Sequence, residues 1–174
     1  MKKRLKMDYI FDASCAILLF EKCALRNQLL KFSKVNRLYV PTRVLEEYVK
    51  GEDMKTSDIA DFEKVFSVIN PALEEVLLPF FNFDDSSGEI WVISHALRNP
   101  ECCCVIDEDF GRNIATLFET KLTGAIGIIK ELKSQNLLSD DDLRQLRVKV
   151  RKSGFYLSKK LLKELDEICS SQQT

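Results

Sequence analysis

The feature that most constrains the fold of this chain is a series of short apolar runs that end at polar residues and are separated by helical patterns. Residues 9–11 are aromatic and β-branched and stop at Asp12, which is typical of a buried strand. Residues 37–40 are predicted to form a second strand. Residues 102–106 are continuously apolar up to Asp107, which favours a strand buried on both faces of a parallel sheet.

Helical patterns fill the chain between these runs, because apolar residues recur there at helical spacing. Alternating strands and helices predict an α/β fold, a three-layer α/β/α sandwich around a short parallel sheet. Residues 70–85 are predicted to be helix or loop with buried aromatic side chains. The predicted helices are 14–24, 42–50, 55–69, 86–98, 109–119, 125–135, 139–151 and 158–169, with Ser14, Thr42, Ser139 and Ser158 as N-caps and residues 121–123 as a fourth strand.

Length and composition narrow the classes of protein further. The 174 residues predict a single domain over 1–174, with a core at about 8–123 and C-terminal helices at about 124–170. The 26 basic and 27 acidic residues argue against a globally basic nucleic-acid binder, although local basic patches remain open. A single His argues against any mechanism that needs two histidines.

The six cysteines include no C-x-x-C pair, so we expect buried, reduced thiols and a cytoplasmic protein. The apolar stretch after the basic N-terminus is broken by Asp8 and Asp12, so no secretory signal is predicted. No run reaches the ~18 apolar residues of a membrane helix, and no membrane partner is expected.

Acidic residues stand where the predicted strands end or the adjacent helices begin. Carboxyl ends of parallel strands share one edge of a sheet, where ligands bind. Carboxylates gathered there repel one another unless a cation neutralises them, and their hard oxygens suit Mg²⁺ or Mn²⁺. This pattern predicts a metal-dependent phosphodiesterase or nuclease. The alternative is that the acids only complement helix dipoles. The acids are Asp12, Glu46, Glu47, Glu89, Asp107, Glu108 and Asp109.

Several of these segments resemble the PIN-domain family, which includes the VapC-type toxin ribonucleases. The resemblance runs from Tyr9 to about Leu165 and favours the subgroup with a Gly-Glu third motif and a helical C-terminal tail. It implies a PIN-like sandwich, an endoribonuclease that uses one or two Mg²⁺ or Mn²⁺ ions, a homodimer, and a small antitoxin partner for toxin members. The motifs are YIFDAS, VPTRVLEEYVKG, GEIWVISHAL, CCCVIDEDFGRNIA, and TGAIGIIKELKSQNLLS followed by SGFYLSKKLLKEL.

The resemblance also assigns roles to particular residues. It implies that Asp12, Glu47, Glu89 and Asp107 hold the metal and carry catalysis, with Glu47 selected over Glu46 by motif spacing. A slip of one or two residues would move the last acid to Glu108 or Asp109. A water activated by the metal would attack the phosphorus. The expected supporting residues are Ser14, which could hydrogen-bond a carboxylate, Asp109 and Arg112.

RNA requires positive charge near the cleavage site. Arg43, Arg112 and Lys121 are the candidates for phosphate contacts, and Arg112 could instead brace a carboxylate or be an ordinary exposed charge. The basic stretch 144–152 is predicted to be a solvated helix face. His95 is predicted to be a packing or surface residue.

Other classes of function fit the sequence less well. A binding module with the same fold would be distinguished by its lack of metal affinity. A phosphate-binding α/β protein lacks its glycine loop, since Gly124 to Gly127 is too short. A receiver domain would need a second acid where Phe11 stands. Serine hydrolysis lacks a nucleophile elbow, and the cysteines occupy apolar stretches that disfavour thiolates.

Overall fold

A computed structural model describes residues 6–51, 55–152 and 159–170. The centre of the fold is a five-stranded, wholly parallel sheet. In chain order the strands are Asp8–Phe11 (β1), Arg37–Pro41 (β2), Ser67–Ile69 (β3), Cys102–Val105 (β4) and Leu122–Thr123 (β5), and across the sheet they lie in the order β3-β2-β1-β4-β5.

Helices connect the strands and pack on both faces of the sheet. The first helix continues into a π-helical turn over Leu18–Lys22, and a 3-10 helix spans Glu75–Phe81. The α-helices are Ala13–Ile17 (α1), Arg26–Ser33 (α2), Thr42–Val49 (α3), Thr56–Val65 (α4), Gly88–Arg98 (α5), Asp109–Leu117 (α6), Ala125–Ser134 (α7), Asp140–Lys152 (α8) and Lys159–Ser170 (α9). None of the described helices is both long and apolar enough to cross a membrane.

Side chains alternate between the two faces of the sheet, and each face has its own hydrophobic core. Phe11 and Val105 face the core formed with α1 to α4 and α7 to α9. Ile10 and Cys104 face the opposite core, formed with α5, α6 and the 3-10 helix. The predicted three-layer α/β/α sandwich with a parallel sheet is therefore confirmed.

The connectivity reverses direction at the centre of the sheet. From β1 the chain moves outward through β2 and β3, and it then crosses back to β4 and β5 on the other side. β1 and β4 are thus neighbours whose connections leave in opposite directions. In parallel sheets the crevice at the carboxyl ends of such a pair is where ligands bind.

One predicted helix was too long. The apolar spacing of Phe62, Val65, Phe66 and Ile69 continues a helical pattern, but α4 ends at Val65 and Phe66 is extended, with φ −108° and ψ 128°. Residues 67–69 instead form β3, because Val68 and Ile69 pair with β2. Sheet pairing outweighs the local helical pattern.

The predicted N-caps were partly wrong. The carboxylate of Asp12, rather than the hydroxyl of Ser14, caps α1. Pro41 occupies the N-cap position of α3, and the Thr42 hydroxyl donates to the Ile69 carbonyl at 3.1 Å. Ser139 accepts from the Asp142 backbone N–H as expected, whereas Ser158 lies outside the described residues.

The burial predictions also had mixed outcomes. Cysteines 15, 23, 102, 103 and 104 are free and buried, as predicted; the side chain of Cys169 lies outside the described residues. Of the aromatic side chains in 70–85, Phe81 is buried, but Phe83 is 75% exposed. That exposure contradicts the prediction, and it follows a turn in which Asn82 and Phe83 both adopt positive φ.

An aromatic cluster packs α3 and α4 against the core. It consists of Phe20, Tyr48, Phe62 and Phe66. Phe62 stacks on Tyr48 at 4.3 Å and meets Phe20 edge-on at 5.2 Å. All four side chains are almost completely buried.

We predict that Phe62→Ala lowers the free energy of unfolding by about 3–5 kcal/mol, because it removes a buried ring and leaves a cavity. Urea denaturation would measure the loss. Val35→Ala, at a position that is 55% exposed, is the matched control and should change stability by under about 0.5 kcal/mol. A loss below about 1 kcal/mol for Phe62→Ala would contradict this account of the core.

Candidate acidic site

Asp12 lies directly after β1 and is only 3% exposed. Its backbone N–H donates to the Val105 carbonyl at 3.1 Å, which extends the pairing of β1 with β4. Its Oδ1 accepts from the Cys15 backbone N–H at 2.7 Å, and the Ser14 hydroxyl is 3.2 Å from both carboxylate oxygens. The prediction that Ser14 hydrogen-bonds a carboxylate is confirmed.

Asp107 lies two residues after β4, at the same edge of the sheet. Its Oδ1 accepts from the Ala125 backbone N–H at 3.0 Å, at the first residue of α7. The lack of a side chain at Gly124 makes room for this contact, since a Cβ there would lie 2.2 Å from Oδ1. Within the described part of the chain, the buried Oδ2 has no hydrogen-bond partner.

Glu89 is the second residue of α5 and is similarly held by one oxygen. Its Oε2 accepts from the Ser87 hydroxyl at 2.7 Å. Its Oε1 lies over Gly111 of α6, where a Cβ would be 2.8 Å away. This buried Oε1 also has no hydrogen-bond partner among the described residues.

Glu47 differs from these three acids. It is exposed on α3, and its carboxylate makes no hydrogen bond or ion pair with any described residue. Across residues 6–51, 55–152 and 159–170, no three His, Cys, Asp or Glu side chains lie close enough together to enclose a metal ion. Adjacent strands bring Asp12 and Asp107 near each other, whereas Glu47 lies on the exposed surface of α3.

Burial dominates the electrostatics of the site. Burial, together with the charge of Asp107, raises the pKa of Asp12 to about 7 in spite of the hydrogen bonds from Cys15 and Ser14, which lower it. Burial also raises the pKa of Glu89, with the Ser87 hydrogen bond lowering it and the charge of Glu108 raising it. These carboxylates are therefore costly to ionise without a nearby cation.

The three candidates for the last acid differ in burial. Asp107 is half-buried and hydrogen-bonded to α7, whereas Glu108 and Asp109 are exposed. Asp109 begins α6, and Glu108 precedes it at the N-cap position without a side-chain cap bond.

The basic residues that were expected to contact phosphate mostly bond to other groups of the protein. Arg112 Nη1 donates to the carbonyls of Ile106 and Thr123 at 2.7 and 3.2 Å, so it braces the ends of β4 and β5 rather than a carboxylate. Lys121 pairs with Glu101 at 2.5 Å, and the two residues directly precede β5 and β4. Arg43 stands in the first turn of α3 and is 3.8 Å from Glu46.

The remaining basic candidates and His95 have structural roles. Arg144 and Arg147 pair with Asp141 and Asp166 at 3.8 and 2.7 Å, which fits the predicted solvated face of α8. The His95 ring lies 5.5 Å from the Tyr39 ring, so its prediction as a packing residue is confirmed.

Sequence reasoning missed the residues that orient the acids. Cys15 is fully buried, and the pKa of its thiol is raised by burial and then by the charges of Asp12 and Asp107, so it stays protonated. Ser87 and Ala125 each donate a hydrogen bond to a carboxylate, and the lack of a side chain at Gly124 makes room for Asp107. In the sequence, the one sign of these contacts was Ser87, whose hydroxyl lies two residues before Glu89.

We predict that Asp12→Asn raises the stability of the metal-free protein at pH 7.5 by at least about 1 kcal/mol, the equivalent of one pKa unit. The folded state holds the Asp12 proton up to pH ~7, whereas the unfolded chain loses it near pH ~4. The free energy of unfolding of the wild-type protein therefore decreases as the pH rises from ~4 to ~7. Asn does not ionise and also caps helices, so the variant avoids this loss.

Thermal unfolding in EDTA from pH 4.5 to 8 would measure the difference. It should shrink as pH falls toward ~4. Asp109→Asn, at an exposed position, is the control and should show no such trend. A difference between Asp12→Asn and wild type that is constant across this range would show that ionisation of Asp12 does not cost stability.

Comparison with known proteins adds one finding to this geometry. A family model described as a PIN domain matches residues 8–170, which is nearly the whole chain. No curated protein and no solved structure matches the chain significantly. The central parallel sheet and the acids that follow β1 and β4 agree with that match. The chain belongs to the PIN-domain family, whose fold is that of nucleases.

Proposed function

We propose that this chain is a metal-dependent endoribonuclease that hydrolyses RNA phosphodiester bonds with Mg²⁺ or Mn²⁺. The observation that carries the proposal is a pair of buried carboxylate oxygens, Glu89 Oε1 and Asp107 Oδ2, that have no hydrogen-bond partner in the described part of the chain. Buried polar atoms are rarely left unpaired, so such a pair indicates a missing partner.

The carboxylate oxygens of the site are the type of donor that a hard divalent cation prefers. Asp12, Glu89 and Asp107 each have one oxygen held by a donor of the protein: the Cys15 N–H, the Ser87 hydroxyl and the Ala125 N–H. Such contacts orient a carboxylate. In Glu89 and Asp107 the second oxygen has no partner among the described residues, whereas the Ser14 hydroxyl lies 3.2 Å from both oxygens of Asp12. Oxygen-only donors suit Mg²⁺ and Mn²⁺ rather than zinc. We propose that these three acids hold the ion and that Glu47 is the fourth acid of the site.

When bound, the ion would activate a water and stabilise the charge that develops in phosphoryl displacement. The residues of the chain fix the geometry of the site. Ser14 and the cap of α1 hold the Asp12 carboxylate at the end of β1. The Cys15 thiol is fully buried, and the charges of Asp12 and Asp107 help to raise its pKa, so it stays neutral beside them. Arg112 ties the ends of β4 and β5, beside Asp107.

We further propose that the chain is the toxin of a toxin–antitoxin pair, that it acts as a homodimer, and that it resides in the cytoplasm. Support for the first two is the resemblance to VapC-type toxins. Support for the third is the set of free, buried cysteines, which fits a reducing compartment.

A binding module with the PIN fold and little or no catalysis is the alternative. Two observations favour it: no group of three ligands that could hold a metal ion exists among the described residues, and Glu47 is exposed. The two functions differ in metal affinity, because a binding module has no need to bind the ion.

We predict that Mn²⁺ raises the melting temperature of the wild-type protein and that Asp12→Asn and Asp107→Asn abolish this rise. A ligand that binds only the folded state stabilises it by about 2.7 kcal/mol at a hundred times its Kd. Cleavage of RNA in Mn²⁺ should fall at least about a hundredfold in the same variants. Glu108→Gln and Asp109→Asn are the controls and should retain both responses, because both side chains are exposed.

The outcomes separate the two functions. No rise in melting temperature at millimolar Mn²⁺ would favour the binding module. Cleavage by Asp12→Asn at the wild-type rate would show that the acidic site is not the catalytic centre.

We also predict that Gly124→Ala weakens Mn²⁺ binding at least about tenfold with little loss of stability in EDTA. Gly124 is extended, with φ −133° and ψ −174°, so alanine fits the backbone, but its Cβ would displace the Asp107 carboxylate. Titration of the melting temperature with Mn²⁺ would measure the effect. Gly88→Ala is the matched control, since a Cβ there meets nothing within 4 Å. Unchanged Mn²⁺ affinity in Gly124→Ala would argue against Asp107 as a ligand.

A further inference from the structure

The side chain of Arg112 bonds to the backbone at the ends of β4 and β5. Its Nη1 donates to the carbonyls of Ile106 and Thr123 at 2.7 and 3.2 Å. Ile106 directly precedes Asp107. Thr123 directly precedes Gly124, whose lack of a side chain makes room for the Asp107 carboxylate. The guanidinium therefore joins the two strand ends at the point where the chain reaches the acid.

The hydrogen bonds between β4 and β5 show which backbone donor this arginine replaces. The Cys104 N–H donates to the Lys121 carbonyl at 2.8 Å, and the Ile106 N–H donates to the Thr123 carbonyl at 3.0 Å. The bonds of a parallel pair are evenly spaced and alternate in direction, so the next bond in this series runs from the N–H of residue 125 to the Ile106 carbonyl. Ala125 does not make that bond.

Ala125 gives its N–H to the side chain of Asp107 instead. The Ala125 nitrogen is 3.0 Å from Asp107 Oδ1. A backbone N–H is a single donor, so it cannot fully serve the carboxylate and the Ile106 carbonyl together. Ile106 is completely buried, and a buried carbonyl without a donor costs free energy. Because Arg112 satisfies the Ile106 carbonyl, Ala125 is available to hold the acid.

The guanidinium lies beside the Asp107 carboxylate without pairing with it. A Cβ at Gly124 would be 2.2 Å from Asp107 Oδ1 and 3.4 Å from Arg112 Nη1, so the two groups border the same small space. Nη1 bonds to the two carbonyls, and Asp107 Oδ2 has no partner in the described part of the chain. An arginine paired with this carboxylate would compete with a cation for its oxygens. The observed contacts instead orient the acid and leave one of its oxygens available.

Helix α6 carries the arginine to this position. The Arg112 N–H donates to the Glu108 carbonyl at 3.0 Å, which fixes the beginning of the helix. The residue before Arg112 is Gly111, where a Cβ would be 2.8 Å from Glu89 Oε1. Two consecutive residues of α6 thus shape the surroundings of both acids that have an unpartnered oxygen.

We propose that Arg112 is a positioning residue of the acidic site: it satisfies the Ile106 carbonyl and thereby leaves the Ala125 N–H to orient Asp107 for the metal ion. This inference rests on the proposed metal-dependent function and deepens it, because it names a residue that sets the affinity for the ion without touching it. Arg112 acts through the backbone, and its role requires neither a phosphate contact nor an ion pair.

The first test is the Mn²⁺ affinity of Arg112→Met, measured by titration of the melting temperature of the full chain. The variant should bind Mn²⁺ at least about tenfold more weakly than wild type, the lower end for loss of a group that orients a metal ligand. If Arg112 acted only through its charge, removing it would strengthen the binding of a cation, because like charges repel. If it contacted only phosphate, the Mn²⁺ affinity would stay the same. The sign of the change therefore separates the three roles.

The second test needs no metal. In the full chain labelled with ¹⁵N-alanine, in EDTA at pH 7.5, the amide proton of Ala125 reports on its acceptor. Hydrogen bonds to a charged acceptor are shorter than those to a neutral one, and a shorter bond moves the proton resonance downfield. Arg112→Met should move the Ala125 resonance upfield, because the N–H passes from the carboxylate to the Ile106 carbonyl. Asp107→Asn makes the acceptor neutral and is the reference for the direction of this shift.

Arg98→Met is the matched control. Arg98 lies in the last turn of α5, where its Nε pairs with Glu74 at 2.6 Å and its Nη2 is 3.5 Å from the Leu73 carbonyl. The variant removes the same side chain and the same charge as Arg112→Met. It should leave both the Mn²⁺ affinity and the Ala125 resonance as they are in wild type.

The inference is overturned if Arg112→Met leaves the Ala125 resonance unchanged, or if the variant binds Mn²⁺ as tightly as wild type or more tightly. If Arg112→Met does not fold, Arg112→Lys is judged in the same way; lysine keeps its donors but lacks the planar fork, so both changes should be smaller and in the same direction. Absence of any Mn²⁺ response in wild type would refute the proposed function. The Ala125 resonance alone would then decide whether Arg112 positions Asp107.

Discussion

The parallel pairing of β1 with β4 is the interaction on which the site depends. Asp8 pairs with Cys102 and Phe11 with Val105, so the two strands end at the same level of the sheet. The Asp12 N–H continues the ladder by donating to the Val105 carbonyl. Both strands are buried between two helical layers, so the residues that follow them emerge together in a crevice. A slip of one residue in this register would move the side chains of a strand from one hydrophobic core to the other, so packing fixes the positions of Asp12 and Asp107.

Directed hydrogen bonds offset part of the cost of burying carboxylates at this edge of the sheet. The Cys15 N–H, the Ser87 hydroxyl and the Ala125 N–H each hold one oxygen, but burial still raises the pKa of Asp12 and of Glu89. The rest of the fold offsets this strain. The aromatic cluster packs α3 and α4 tightly, and Tyr48 is further fixed by a hydrogen bond to Glu21, which also pairs with Arg26. Functional sites that destabilise the folded state are common where activity demands them.

The sequence was sufficient to predict the features that depend on local pattern. The strand ends that carry Asp12 and Asp107 follow from apolar runs that stop at an acid, and these two residues lie where the alternation of strands and helices placed them. Glu89 was predicted at the start of its helix for the same reason. Long-range features were missed. β3 forms only because β2 offers an edge, and the same residues, taken alone, continue a helical pattern.

Three further differences between the sequence pattern and the structure share a physical cause. Both Asp12 and Ser14 can cap a helix, and the choice between them depends on where β1 ends. The charge of Arg112 suggests a phosphate contact, but two carbonyls brought together by β4 and β5 engage it. The exposure of Phe83 follows from a left-handed backbone that nothing in its sequence signals. In each case tertiary contacts decided between roles that the residue type allows.

The central claim, that the acids after β1 and β4 form a metal site, is tested most directly by locating the metal. A crystal of the full chain grown in Mn²⁺ and measured at a wavelength with strong manganese anomalous scattering would show where the ion lies. The account predicts an anomalous peak at the carboxyl ends of β1 and β4, coordinated by oxygens of Asp12 and Asp107 with Glu89 in reach. A peak elsewhere, or none at this edge while Glu89 Oε1 and Asp107 Oδ2 bond to protein groups or water, would contradict it.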